Sequence, residues 1–253
     1  MNSNIGIALL LSAAAGLSTT IGSVLGLAVR KPGRRFMGFT LGFSAGVMVL
    51  VSFLELLQES IRTLGFVSAN VGFFSGMICY FFIDFLIPHD YIGQHDHKGD
   101  QLGDSLMRTG LLVALGIGIH NFPEGMATFV GALEDVNVGI AIAIAIAIHN
   151  IPEGLAVSAP IYAATGSRKK AFFWSFLSGL SEPVGAGFAA LILAPFLTPA
   201  VLGCVLAAVS GIMVSISVDE LIPVAKSYGD EHMPIIGVIT GMAVMSTSLW
   251  LLK

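Results

Sequence analysis

The chain has 253 residues, of which 55% are hydrophobic and only 11% are charged, and its formal net charge is −4. Soluble domains carry about 25% charged residues, so this composition, with a mean hydropathy of +0.87, excludes an ordinary globular protein. Much of the surface must therefore face lipid. Cys79 and Cys204 are the only cysteines, which excludes a disulfide framework and a cysteine-based zinc site.

Eight apolar stretches are long enough to cross a membrane, for which a helix needs about 20 residues. They are too long and continuous for barrel strands of about ten residues, so we predict an all-α integral membrane protein, a single domain of eight transmembrane helices. In chain order the predicted spans are at about 5–29, 36–61, 68–88, 105–132, 136–164, 167–194, 199–225 and 233–252.

Basic residues are concentrated in alternate loops, and the even-numbered loops hold only Arg62. Because cytoplasmic loops are rich in Lys and Arg, the odd-numbered loops are predicted to be cytoplasmic and both termini outside. The first apolar run is predicted to be a retained span, because its basic residues follow it rather than precede it. The basic residues of the first and fifth loops are Arg30, Lys31, Arg34, Arg35, Arg168, Lys169 and Lys170.

The third loop, at about 89–104, is the only long polar loop and is cytoplasmic in this topology. It contains His89, His95 and His97 among several aspartates. A loose cluster of this kind can bind metal weakly, so His95 and His97 are candidates for a metal pathway. The alternative is a plain solvated loop.

Ionisable residues within the spans indicate function, because each costs roughly 2.5–3.5 kcal/mol to insert. His120, Glu124, His149, Glu153 and Glu182 each have long apolar sequence on at least one side. A bundle tolerates such groups only if they face inward and are paired, hydrated or bound to a cation. No Lys or Arg lies near them in the sequence, so a cation from outside the chain is the simplest partner.

Two consecutive spans carry the same pattern, HNFPEG from His120 and HNIPEG from His149. Because positions i and i+4 share a helix face, each histidine points the same way as the glutamate of its own segment, Glu124 or Glu153. Imidazole with carboxylate suits Zn²⁺, Fe²⁺, Mn²⁺ or Co²⁺ better than Ca²⁺ or Cu⁺. The predicted ligand is therefore a divalent transition metal, most of all zinc, with Cd²⁺ as a further candidate.

Asn121 and Asn150 lie about 100° further round their helices, where they can serve a second metal while the two glutamates bridge. The two spans are joined by a short turn and must be antiparallel neighbours. Two copies of one motif then meet as an inverted pair near the bilayer centre, an arrangement typical of secondary transporters.

Other acidic residues extend the candidate site. Glu182, in Ser-Glu-Pro on the sixth span, is a candidate third-helix ligand, with a plain helix-end role as the alternative. Glu55 is flanked by apolar residues on the second span and is a further candidate. Glu59 is a candidate for an entrance, and Asp219 and Glu220 for an exit, although an ordinary helix-end role fits that pair as well.

The two hexapeptides, together with SGLSEP at 178–183, resemble the ZIP (Zrt/Irt-like protein) family of metal transporters, and its bacterial ZupT-like group in particular. The likeness covers essentially the whole chain. It implies import of zinc, and of iron, manganese or cobalt, into the cytosol across a bacterial inner membrane. It also implies alternating access, in which one helix group slides against another, and a homodimer.

The resemblance further implies a binuclear site whose metals are transported substrates rather than cofactors. The first metal would be held by His120, Glu124, His149 and Glu153, with Glu55 added. The second would be held by Asn121, Glu124, Asn150, Glu153 and Glu182. Some relatives have Gln-Asp where this chain has His149 and Asn150, which implies a weaker second metal here.

Three other functions fit parts of the pattern. A membrane-embedded metallohydrolase would use the same ligands. However, His-Glu-x-x-His is absent and no separate general base is visible, so the chain is predicted not to be an enzyme. A passive metal-selective channel would share the site, whereas a metal sensor would need an effector domain that the sequence lacks. Beyond metal ions and the bilayer, nothing in the sequence indicates a nucleic-acid partner.

Overall fold

Every regular element in the described part of the computed structural model is helical. The structure describes residues 4–28, 33–86, 100–193, 198–228 and 230–251. The predicted all-α bundle is confirmed within these residues. Its eight helices are α1 Ile5–Ala28, α2 Arg34–Leu64, α3 Phe66–Leu86, α4 Asp100–Glu134, α5 Val136–Thr165, α6 168–193, α7 Pro199–Ser227 and α8 Met233–Leu251.

Seven of the eight helices begin within two residues of the predicted spans. The exception is α4, which begins five residues before its predicted span because the helix extends beyond the apolar stretch into the polar residues from Asp100 onward. Residues 87–99 lie outside the described part of the chain, and with them the candidates His95 and His97. The predicted placement of both termini outside stays a prediction.

Five helices, α1, α2, α5, α7 and α8, are long and apolar enough within the described residues to cross a membrane. Large apolar side chains face outward, among them Leu191 at 87% exposure and Trp250 at 74%. Polar side chains such as Ser12 and Thr19 are fully buried instead. This reversal of the usual soluble pattern is expected where the surface is solvated by lipid.

Helix ends are set by local sequence. Asp135 separates α4 from α5 and caps α5 by accepting a hydrogen bond from the N–H of Asn137 at 2.7 Å. Ser167 caps α6. Gly65 and Gly166 end α2 and α5 at φ of 81° and 62°, which only glycine adopts without cost.

The helices form two groups. The site group, α1, α4, α5 and α6, carries both hexapeptides, and its four helices pack against one another. The flanking group is α2, α3, α7 and α8, in which α2 packs on α8 and α3 on α7. The groups meet mainly through α2 against α5 and α4 against α7.

Within each group the helices touch backbone to backbone at glycines. A Cβ added at Gly125 on α4 would collide with the backbone of Glu182 on α6. In the flanking group a Cβ at Gly211 on α7 would collide with the carbonyl oxygen of Phe73 on α3. Such contacts leave no flexible atoms that could yield at these helix crossings.

Contacts between the groups are of a different kind. Among the described glycines, Gly116 alone faces the opposite group, and a Cβ there would meet Cδ1 of Ile216, the end of a flexible side chain, at 3.1 Å. A buried apolar cluster spans the boundary, with Met48 of α2, Ile117 of α4 and Ile212 of α7 among its members. The boundary is therefore formed by apolar side chains rather than by interlocked backbones.

Candidate metal site

The twin hexapeptides lie side by side in the middle of the site group. Both helices continue through their prolines, Pro123 in α4 and Pro152 in α5. All six polar side chains of the motifs are at most 1% exposed. The structure thus brings together the predicted residues His120, Asn121, Glu124, His149, Asn150 and Glu153.

Each histidine pairs with the glutamate of the other helix rather than with that of its own. Nε2 of His120 lies 3.0 Å from Oε1 of Glu153, and Nε2 of His149 lies 3.3 Å from Oε1 of Glu124. Reciprocal contacts of this kind are what a local two-fold axis produces. The two hexapeptides are therefore an inverted pair, as their spacing predicts.

His120 is oriented by its own helix. Its Nδ1 lies 3.1 Å from the carbonyl oxygen of Gly116, which can only accept, so Nδ1 carries a proton. The 3.0 Å contact between Nε2 and Oε1 of Glu153 then requires a second proton between imidazole and carboxylate, and a metal bound at Nε2 would displace that proton. A ring N–H given to a backbone carbonyl is the usual support of a metal-binding histidine.

The two asparagines tie the motifs to neighbouring helices through their amide nitrogens. Nδ2 of Asn150 donates to the carbonyl oxygen of Ala15 on α1 at 3.1 Å and also to Oε1 of Glu182 on α6. Nδ2 of Asn121 donates to the carbonyl oxygen of Ser178 on α6 at 3.3 Å. The amide oxygens, Oδ1 of both asparagines, receive no hydrogen bond.

Glu182 completes a group of three buried carboxylates. It is fully buried and lies within electrostatic range of both Glu124 and Glu153. Both carboxylate oxygens of Glu124, Oε2 of Glu153 and Oε2 of Glu182 receive no hydrogen bond. Within the described residues, no Lys or Arg forms an ion pair with any of the three.

This donor set fits a divalent cation. Each buried acceptor without a donor costs about 1–3 kcal/mol, and negative groups this close repel one another. A bound cation would coordinate these oxygens and also reduce the repulsion between them. Imidazole with carboxylate is a ligand set that zinc accepts. Among the described residues, no three His, Cys, Asp or Glu side chains already converge on one point. The side chains are instead engaged in pairs, which a bound cation would have to separate.

The remaining predicted residues lie around this centre. Glu55 is half-buried on α2, within electrostatic range of His149. Glu59 is 54% exposed and pairs with Arg62 at 3.3 Å, so it lies at the surface and not at the centre. On α7, Glu220 is buried and Asp219 is half-buried.

A repeat in the flanking group is missing from the predictions above. Residues 46–56 read GVMVLVSFLEL and residues 211–221 read GIMVSISVDEL. Each copy ends in a π-helical turn, Ser52–Leu56 in α2 and Ser217–Leu221 in α7. The two serines bond alike to the carbonyl oxygen four residues before them, at 2.7 and 2.8 Å. A search for internal repeats would have found this signal.

The repeat gives Glu55 and Glu220 equivalent positions, each the fourth residue of its π-helical turn. Such turns occur frequently at functional sites. The equivalence places one acidic residue on each of the two flanking helices that border the site group, α2 and α7. These two glutamates are therefore stronger candidates for a pathway than Glu59.

Comparison with known sequences gives a consistent result. The family model described as ZIP Zinc transporter matches residues 88–248. The chain is 55% identical to a protein named zinc transporter ZupT from Chlorobium phaeovibrioides, with 97% of each chain covered. It is 48% identical to a protein of that name from Streptococcus mutans, with 99% of each covered. A third, from Salmonella paratyphi A, is 45% identical, with 97% of this chain covered.

Proposed function

This chain belongs to the ZIP zinc transporter family, and from that premise we propose that it imports Zn²⁺ into the cytosol across a bacterial inner membrane. The observation that carries the proposal is the group of buried, undonated carboxylate oxygens on Glu124, Glu153 and Glu182. Such a group inside an apolar bundle has no structural use, whereas a divalent cation neutralises it.

The proposed site binds two cations. The first would take His120, His149 and one oxygen from each of Glu124 and Glu153, with Glu55 approaching from α2. The second would take the free Oδ1 atoms of the asparagines and Glu182 together with the same two glutamates as bridges. In support, the amide nitrogens of Asn121 and Asn150 are directed to backbone and carboxylate acceptors, which leaves the oxygens for a metal.

The proposed substrates follow from ligand chemistry. Imidazole, carboxylate and amide oxygen form a borderline set without thiolate, which suits Zn²⁺ and also accepts Fe²⁺, Mn²⁺, Co²⁺ and Cd²⁺. The absence of thiolate also favours release, because a carrier must give up its cargo. Zinc is placed first because the relatives are named zinc transporters.

The proposed mechanism is alternating access by sliding of the site group against the flanking group. It is supported by the backbone contacts that many glycines make within each group, in contrast to the side-chain contact that Gly116 makes between the groups. Contacts between apolar side chains can form again after one group has moved along the other, whereas backbone contacts fixed at particular glycines cannot. In this mechanism the metal moves with α4, α5 and α6, while Glu55 and Glu220 stay on the flanking helices.

The test is zinc uptake into proteoliposomes. Glu153→Ala, and the isosteric Glu153→Gln, are expected to lower uptake by at least about 100-fold, because even supporting residues around a metal contribute 10–100-fold. Glu124→Gln should lower zinc uptake to the same extent as Glu153→Gln. Glu59→Ala is the matched control, since Glu59 is an exposed acid of the same type, and it should keep parental uptake.

Normal uptake by both Glu153 variants would overturn the site assignment. The concentration dependence then separates the mechanisms. Uptake that saturates at low zinc is expected of a carrier, and a linear rise without saturation would instead indicate a passive channel. Competition by Fe²⁺, Mn²⁺, Co²⁺ and Cd²⁺ in the same assay ranks the substrates.

A further inference from the structure

A groove between the end of α1 and the beginning of α6 is not used by the proposed metal site. Its volume is about 460 Å³. It lies where the chain leaves the apolar part of both helices, on the side that the basic residues predict to be cytoplasmic. Its lining consists of Leu27, Arg168, Lys169, Phe172, Phe173 and Phe176.

The lining of this groove is divided into a basic end and an apolar floor. Lys169 heads one face of α6, and the phenylalanines follow at three, four and seven residues further along. That pattern covers roughly 11 Å of helix at 1.5 Å per residue. Phe173 is 55% exposed and Phe172 37%, so the floor is open to lipid.

The basic end has no acidic partner among the described residues. Arg168, Lys169 and Lys170 are all exposed, and none of them belongs to a described ion pair. The described contact of Arg168 is with the ring of Tyr162, at 5.9 Å from the ring centre. Two cations, Arg168 and Lys169, at the end of an apolar floor match a ligand with an anionic head and an apolar tail.

We propose that this groove binds an anionic phospholipid, with the phosphate at Arg168 and Lys169 and an acyl chain along Phe172, Phe173 and Phe176. A soluble anion would use only the basic end and leave the floor uncovered. A neutral phospholipid would cover the floor but gain nothing from the charges. The proposal does not depend on metal transport.

Trp174 lies next to a residue of the groove lining and provides a probe close to the groove. Its ring contacts that of Phe173, with ring centres 5.8 Å apart. The only other tryptophan, Trp250, lies near the end of α8 and is 74% exposed. In a Trp250→Phe background the fluorescence therefore reports on Trp174 alone.

The experiment compares quenching of Trp174 by brominated phosphatidylglycerol and by brominated phosphatidylcholine, at equal mole fractions in mixed vesicles. The anionic lipid should quench more strongly. Each basic residue near a membrane surface contributes about fivefold to anionic-lipid binding. The double substitution Arg168→Gln with Lys169→Gln should therefore lower the preference for the anionic lipid by about 25-fold.

Lys226→Gln is the matched control, because Lys226 is an exposed lysine at the end of α7, on the same predicted side. It should leave the preference unchanged. Equal quenching by both lipids, or a preference that survives the double substitution, would overturn the proposal. An equal loss in Lys226→Gln would also overturn it, in favour of a diffuse surface potential. Reversal by inorganic phosphate would instead indicate a soluble-anion site.

Discussion

The two helix groups are similar in size and differ in what holds their helices together and in what they contain. Both are closed by glycines, at Gly125 and Gly154 in the site group and at Gly42 and Gly211 in the flanking group. The site group, however, buries charged side chains at its centre, whereas the boundary with the flanking group is mainly apolar and is crossed by the hydrogen bond from Ser44 to Pro152. In the proposed mechanism each group therefore moves as a rigid body, and movement is confined to the boundary.

A cross-link between the groups is expected to have the largest effect. Gly116→Cys with Ile216→Cys, in a chain carrying Cys79→Ser and Cys204→Ser, joins α4 to α7. A Cβ at Gly116 would lie 3.4 Å from Cγ1 of Ile216, the position that Sγ of a cysteine would occupy, so the two sulfur atoms would come within reach of each other. Oxidation should abolish zinc uptake, and reduction should restore it.

The control cross-link stays within the flanking group. Leu64→Cys with Gly203→Cys joins α2 to α7, where a Cβ at Gly203 would meet Cγ of Leu64 at 2.9 Å. This bond should leave uptake unchanged. If both cross-links arrest uptake alike, or neither does, the division into two sliding groups is wrong.

Three alanine substitutions on α4 compare the kinds of contact. Gly125→Ala should destabilise the protein by about 1–3 kcal/mol, because the backbone of Glu182 cannot yield. Gly116→Ala should stay within about 1 kcal/mol of the parent, because the end of the Ile216 side chain can move. Gly118→Ala makes only ordinary contacts and should gain up to about 1 kcal/mol from helix propensity.

The measurement is the midpoint of thermal unfolding in detergent for the three variants under one set of conditions. Equal midpoints for Gly116→Ala and Gly125→Ala would contradict the distinction between the boundary and the interior of a group.

A smaller effect is expected from a hydrogen bond that crosses the boundary. Oγ of Ser44 on α2 donates to the carbonyl oxygen of Pro152 on α5 at 2.6 Å. Loss of this hydrogen bond in Ser44→Ala should destabilise the observed arrangement of the two groups by about 0.5–1.5 kcal/mol. The maximal rate of zinc uptake should therefore rise about two- to tenfold, because the groups separate more readily.

Ser60→Ala is the matched control. Oγ of Ser60 donates to the carbonyl oxygen of Gly203 at 2.9 Å and is equally buried, but both residues belong to the flanking group. Loss of this hydrogen bond should lower the stability of the protein and leave the maximal rate of zinc uptake unchanged. A maximal rate that changes equally in both variants would remove the special role of the boundary.

The smallest effect is expected at the surface of the flanking group. Backbone N–H groups of Met233 and His232, together with Arg35, hold the pKa of Asp230 below its usual value. A lowered folded-state pKa stabilises the fold above the ordinary pKa of about 4, and this contribution disappears as the pH falls through the folded value. Arg35, however, is 82% exposed.

Arg35→Gln should therefore change neither uptake nor the unfolding midpoint at neutral pH. Asp230→Asn should reduce the midpoint slightly at neutral pH, with the difference from the parent vanishing in acid. A large loss in Arg35→Gln would mean that this ion pair, and not glycine packing, holds α2 to the beginning of α8.

Hydrophobic periodicity and spacing within single helices determined much of this protein. The apolar runs predict where the helices begin, because a segment that enters lipid must satisfy its backbone internally. The i and i+4 spacing of His120 with Glu124, and of His149 with Glu153, predicts one polar face on each helix. The family membership also follows from these hexapeptides and from Glu182.

Only the tertiary structure decided how those faces combine. It pairs each histidine with the glutamate of the opposite helix, uses the amides of Asn121 and Asn150 to hold α6 and α1, and leaves Glu59 at the surface. The order of helices around a bundle is set by contacts distant in sequence, at glycines and buried polar groups, which local periodicity does not encode. The separation into two groups, and the apolar boundary between them, therefore became visible only in three dimensions.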